Sequence, residues 1–213
     1  MPPLNHAVLS ASSAYRWLEC PPSALATADI PDKTTIYAQE GSAAHEMAEY
    51  KIRWHLGEKD LAPPNIGNFN AEEIDRYTDS YAYYTTDKIE TIRKICPDAI
   101  VMVEQRLDFS NYVKDGFGTG DLVIVADDVL QVIDFKYGKG VTVSAEHNPQ
   151  MMLYALGALN LYGYLYDIKT VKTAIVQPRL DNISEWEISV DELLEWAENT
   201  PVSYTHLTLP TKR

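Results

Sequence analysis

Residues 116–154 read GFGTGDLVIVADDVLQVIDFKYGKGVTVSAEHNPQMMLY, and this stretch decides how the rest of the chain is read. Two apolar runs, Leu122–Ala126 and Val129–Ile133, flank the turn-compatible pair Asp127-Asp128, which predicts a β-hairpin. Asp-Asp is a poorer hairpin pair than Asp-Gly. With those two residues as the loop, Asp121 falls directly opposite Asp134. Side chains alternate along a strand, so Asp121, Asp134 and Lys136 project to one side. Carboxylates facing one another at roughly 5 Å repel, and they are a liability in an ordinary sheet. A divalent cation turns that repulsion into a site, because hard cations seek clustered carboxylate oxygens. Two acids and a lysine on one face point to a metal-dependent hydrolytic centre.

Outward from the hairpin, Asn148-Pro149 supplies a cap and a first-turn proline for a helix running to about Tyr162. Gln150 and Tyr154, four apart, share a face of that helix. Ile100–Phe109 reads as a strand before the hairpin, Val171–Gln177 as a strand after the helix, and Val190–Asn199 as an amphipathic helix. Gly116, Gly118 and Gly120 read as a flexible turn delivering Asp121 to the sheet edge. The GxxxxGK[ST] phosphate-loop pattern is absent.

Upstream lie three helices. The first is short, capped by Ser10 or Ser12 and ended by Cys20-Pro21-Pro22, with Tyr15, Trp17 and Leu18 expected to bury. A Pro- and Thr-containing loop leads to the second, about Ala38 to His55, with an apolar stripe of Ala44, Met47, Ala48 and Ile52. The third starts at Asn70, with Glu73 three residues on, and stops before Pro97. Its stripe of Ile74, Tyr77, Tyr81, Tyr84, Lys88, Ile92 and Ile95 reads as core-facing. His45 lies on the second helix; a lone helical histidine is more often structural than a ligand, and no HExxH pattern surrounds it.

The chain has 213 residues, 46% hydrophobic and 23% charged, with a net charge of −13. That length suits one substantial domain. The acidic balance counts against a sequence-independent nucleic-acid binder held by a basic patch, but acidic enzymes do act on nucleic acids through metal sites and local lysines. No stretch approaches the ~20 apolar residues of a membrane span, and no leader pattern opens the chain, so a cytoplasmic protein is expected. Cys20 and Cys96 cannot build a disulfide framework and suit a reducing compartment; each reads as a small buried apolar residue. From Val202 the string VSYTHLTLPTKR has no hydrophobic period and resembles a translated sequencing adapter. Residues 202–213 are therefore expected to be a non-native tail on a gene that continues past about Pro201.

GTGD at 118–121, IDFK at 133–136 and the Gln150-xxx-Tyr154 pair together resemble the PD-(D/E)XK nucleases of the RecB and Cas4 branch. GSAAH, ending at His45, is similar to that branch's upstream histidine motif, and LSASSAYRWLECP to its N-terminal cysteine segment. More narrowly, the chain resembles a phage domain of unknown function, the DUF2800 group, over roughly Leu9 to Gln177.

The resemblance implies an α/β, restriction-endonuclease-like αβββαβ core, with a mixed central sheet flanked by helices and extra N-terminal helices. It implies a single domain over 1–201, helical at about 9–96, with a catalytic core at about 98–180. His45, Asp121, Asp134 and the backbone carbonyl of Phe135 would hold Mg²⁺ or Mn²⁺. Lys136 would position and help activate the attacking water, or stabilise charge on the phosphate, while Gln150 and Tyr154 support the site and contact the DNA strand. Cys20 would be an iron–sulfur ligand only in a full-length form, because a [4Fe–4S] cluster needs four thiolates. The implied activity is a DNA nuclease of phage or prophage origin in recombination, repair or replication, working in the bacterial cytoplasm beside phage recombination or replication proteins. The alternative is a non-catalytic DNA-binding or scaffold module that retains the fold.

Overall fold

The computed structural model describes residues 7–28 and 35–202. After a 3₁₀ turn at Ala11–Ser13 come helices α1 (Ala14–Glu19), α2 (Pro22–Ala28), α3 (Ile36–His55) and α4 (Ala71–Ile95). Strands β1 (Ile100–Asp108), β2 (Phe117–Ala126) and β3 (Val129–Phe135) follow. Helix α5 (Pro149–Tyr162), β4 (Thr170–Gln177), β5 (Asn182–Ser189) and α6 (Val190–Ala197) complete the described fold. The run from α4 to β4 has the expected αβββαβ order.

The five strands form one mixed sheet in the order β1-β2-β3-β4-β5, in which only β3 and β4 pair in parallel, with α5 as their crossover. Alternation divides the core. Val123, Val125, Leu130, Val132, Val171 and Ile175 pack on one face with α5, α1 and α6; Leu122, Ile124, Ile133, Phe135 and Val176 pack on the other with α3 and α4. Helix α5 lies inside this packing, with Met151 to Ala158 all buried. Its start is fixed by Asn148, whose Oδ1 accepts from the Gln150 and Met151 amides at 3.0 and 3.3 Å.

The hairpin has the expected register: Ala126 pairs with Val129 and Leu122 with Ile133, around the Asp127-Asp128 loop. Asp127 takes φ 49°, the left-handed backbone that Asp tolerates better than most residues. The glycines before it are not a flexible turn. Gly118 and Gly120 lie within β2, paired with Leu107 and Gln105, and β2 is interior to the sheet rather than an edge. The reason is packing: a Cβ on Gly118 would stand 2.7 Å from Tyr154 Cε1, so glycine lets α5 press that ring onto the strand.

Other expectations also change. The loop after Cys20 contains α2, since Pro22 opens a helix as readily as it ends one. Tyr15 is 75% exposed, Trp17 is buried, and Leu18 is partly buried. Along α4 the buried line is Ile74, Thr78, Tyr81, Thr85 and Ile89, while Ile95 is exposed and Lys88 pairs with Glu185 at 2.7 Å. Thr78 and Thr85 bury because their hydroxyls donate to carbonyls of their own helix. Strand β5 is additional. Cys20 is exposed and Cys96 buried; both are free. The non-native-tail expectation concerns residues almost wholly outside those described. Among the described residues no helix is long and apolar enough to cross a membrane.

Candidate functional site

Three elements meet where β2 leaves its pairing with β3. Helix α3, capped by Thr35 at the Ala38 amide (3.1 Å), brings His45. Small buried residues beside it, Ala43, Ala44 and Ala48, let the helix lie close over the sheet. Strand β2 brings Asp121, one residue beyond the Leu122–Ile133 pair. Asp121 Oδ1 lies 3.3 Å from His45 Nδ1, and Oδ2 accepts from the Phe135 amide at 2.6 Å.

The third element is β1, whose Glu104 had no motif to announce it. One ligand atom from each of His45, Glu104 and Asp121 lies within 4.8 Å of the others. Glu104 has φ 51° in mid-strand. Val103 and Gln105 keep their partners Leu122 and Gly120, while the intervening Glu104 and Asp121 do not pair. A left-handed non-glycine residue costs on the order of 1–3 kcal/mol and persists only where its surroundings hold it. The signal in sequence was faint: a glutamate breaking the apolar run IVMV.

A second cluster joins the first at Phe135. By register Asp134 and Lys136 lie on the α5 face of β3. The buried Asp134 carboxylate accepts from Gln150 Nε2 at 2.9 Å through Oδ1 and pairs with Lys136 Nζ at 2.8 Å through Oδ2. Lys136 Nζ also donates to Gln150 Oε1 at 3.0 Å, and Tyr154 Oη stands 3.4 Å from Gln150 Nε2. The Phe135 ring stacks on Tyr81 at 4.6 Å and lies 5.1 Å from the His45 ring.

The segment between Lys136 and Gln150 is tied down by the last strands. Buried Gln177 accepts from the Val143 amide at 2.6 Å and donates to the Val141 carbonyl at 3.2 Å. Asn182 donates to the Val143 carbonyl at 3.1 Å, and Ser184 Oγ accepts from the Ala145 amide at 2.9 Å.

Three carboxyl groups here face two cationic side chains, and the titrations reflect it. Burial pushes Glu104 up to about 7, helped by the charge of Asp121 and opposed by His45. Burial pulls His45 down, but Asp121, Asp134 and Glu104 outweigh it and raise the imidazole to about 9. Burial raises Asp134 as well, against the pull of Lys136 and with the push of Asp121. Lys136 is raised because Asp134 and Asp121 outweigh its own burial. Burial and the charge of Asp134 raise Tyr154.

An imidazole nitrogen and two carboxylates converging in a crowd of negative charge are a donor set that fits a divalent cation. The structure therefore brings together His45, Asp121 and the unforeseen Glu104 as one cluster, and Asp134, Lys136, Gln150 and Tyr154 as its neighbour. Phe135 contributes its amide at the junction. Cys20, exposed at the end of α1, is in neither cluster.

Residues 6–210 match a family described as "Protein of unknown function (DUF2800)". Among solved structures, one titled "Crystal structure of SSO0001" is similar at 15% identity over 93% of this chain and 89% of that chain, with a TM-score of 0.25.

Proposed function

The chain belongs to the DUF2800 family, and on that premise we propose that it is a metal-dependent nuclease of the PD-(D/E)XK kind. The observation that carries the reading is the adjoining of a His45–Glu104–Asp121 donor cluster and a lysine held by a buried aspartate. DNA as substrate and a phage setting follow from the resemblance of the GTGD, IDFK and QxxxY motifs. The setting would be the bacterial cytoplasm, with recombination or replication proteins as partners.

His45, Glu104 and Asp121 would hold Mg²⁺ or Mn²⁺, with Asp134 beside them. When bound, the cation supplies a Lewis acid for a phosphate oxygen and lowers the pKa of a water molecule. Lys136 stays protonated at neutral pH because Asp134 and Asp121 hold its charge. That supports a role in neutralising charge on the phosphate over one as a base. Gln150 fixes the geometry, since it bonds Asp134 and Lys136 at once and so sets the direction in which Nζ points. Tyr154 places a hydroxyl at the edge of the same network.

Incubation of DNA with Mg²⁺ or Mn²⁺ tests the reading. Cleavage that is abolished by chelator and by Asp134→Ala is expected. Cleavage that survives Asp134→Ala overturns the site. Cation and DNA binding without turnover would instead make the chain a non-catalytic module built on a nuclease fold.

A further inference from the structure

Glu104 leaves the extended conformation for a single residue, since Val103 and Gln105 remain paired with β2. The ladder does not hold that departure, because Glu104 and Asp121 are the pair it omits. Strand β1 is an edge of the sheet, packed by α5 on one face and approached by α3 on the other. From α3, Arg53 Nη2 donates to the Val103 carbonyl at 3.1 Å. That carbonyl belongs to the peptide unit joined to Glu104, whose setting relative to the side chain is what φ describes.

The guanidinium is itself fixed. Its Nε donates to Glu49 Oε1 at 2.7 Å, and Nη1 reaches Glu58 Oε1 at 3.4 Å. His45, Glu49 and Arg53 recur every four residues, so one face of α3 carries a cluster member, an anchor and a donor. The rigid, planar guanidinium spreads its donors over separate nitrogens, and here each nitrogen serves a different acceptor.

We infer that Arg53 is a positioning residue of the cation centre, whose bond to the Val103 carbonyl holds Glu104 left-handed and so aims its carboxylate at His45 and Asp121. The inference rests on the reading of His45, Glu104 and Asp121 as a cation site.

Calorimetric titration of the full chain with Mn²⁺ tests it, using wild type, Arg53→Met, Glu104→Gln and the double variant. Arg53→Met should weaken Mn²⁺ binding by roughly 10-fold or more, the range seen for residues that orient ligands. The double variant should bind no more weakly than Glu104→Gln, because Arg53 acts only through that carboxylate. Unchanged affinity in Arg53→Met, or losses that add in full, would overturn the inference. Should Arg53→Met not fold, Arg53→Lys keeps the charge without the fork and must show the same direction of loss. A wild type that binds no Mn²⁺ removes the site reading instead. A crystal structure of metal-free Arg53→Met then decides the brace: an extended residue 104 supports it, and an unchanged left-handed one sinks it.

Discussion

The Phe135 amide donates to the Asp121 carboxylate at 2.6 Å, so a side chain, not a backbone carbonyl, closes the β2–β3 hairpin beyond Leu122 and Ile133. Asp121 thus has two duties. One oxygen satisfies a buried strand amide, and the other faces His45.

The two duties separate by substitution. Asp121→Asn keeps an acceptor for the Phe135 amide and removes one of three crowded negative charges, whereas Asp121→Ala leaves that amide unsatisfied. Both should lose cation binding. In chelator, Asp121→Ala should be less stable than Asp121→Asn by about 1–3 kcal/mol, the cost of an unmet buried donor. Urea denaturation of the two proteins measures it, and equal stabilities would mean that the amide finds water.

A second prediction concerns pH. Both His45, raised from 6.5 to about 9, and Glu104, raised from 4.5 to about 7, bind protons more tightly folded than unfolded. A raised pKa stabilises the fold fully below the unfolded value, and the benefit is lost as pH climbs through the folded one. The metal-free protein should therefore lose stability between about pH 5 and pH 9, Glu104 acting over the lower part and His45 over the upper. Cation binding displaces those protons, so Mn²⁺ affinity should rise over the same span. Denaturation midpoints and calorimetry at several pH values give both slopes. A flat metal-free profile would contradict the clustering of charge.

Lys136 and Asp134 supply a third. Lys136→Met strands a buried carboxylate and should destabilise by about 3–5 kcal/mol, as in other broken buried pairs. Adding Asp134→Asn removes the stranded charge and should recover much of that loss. Thermal melts of the single and double variants test the order, and a double variant no more stable than Lys136→Met would exclude the pair as the cause.

The fourth tests the glycine in β2. Gly118→Ala forces a methyl group against the Tyr154 ring and should cost about 1–3 kcal/mol, as overpacking does. In a Tyr154→Leu background the same change should cost less. Equal cost in both backgrounds would point to backbone conformation rather than ring contact.

Much of the architecture was legible because local chemistry and tertiary need agree. Asn70 and Asn148 sit where helices begin, Pro97 follows where one ends, and the apolar runs around Asp127-Asp128 carry the hairpin in register. The failures occur where a neighbour decides. Gly118 looked like a hinge because the ring that requires it comes from another element. The alternation of ISEWEIS was a visible strand signal in β5, faint because an edge strand exposes much of itself. In the site, alternation along the strand places Asp134 and Lys136 together and helical spacing places Gln150 and Tyr154 together, but the expected pairing of Asp121 with Asp134 is absent: the ladder ends at Leu122 and Ile133, and the Asp121 carboxylate takes the Phe135 amide instead. Glu104 could not be placed, since a left-handed glutamate in a strand has no local signature and the arginine that bonds its neighbour Val103 lies 50 residues away in sequence.

The bonds from Gln177, Asn182 and Ser184 to residues 141–145 have a consequence in time as well as space. Every residue of both clusters has been synthesised once Tyr154 is added, yet the partners that tie down residues 141–145 come only with β4 and β5. A nascent chain stopped at the end of α5 would carry every residue of both clusters but lack the bonds that hold residues 141–145. The Lys136–Gln150 side of the centre is thus braced by the last-made strands, whereas the elements that carry His45, Glu104 and Asp121 all precede it in the chain.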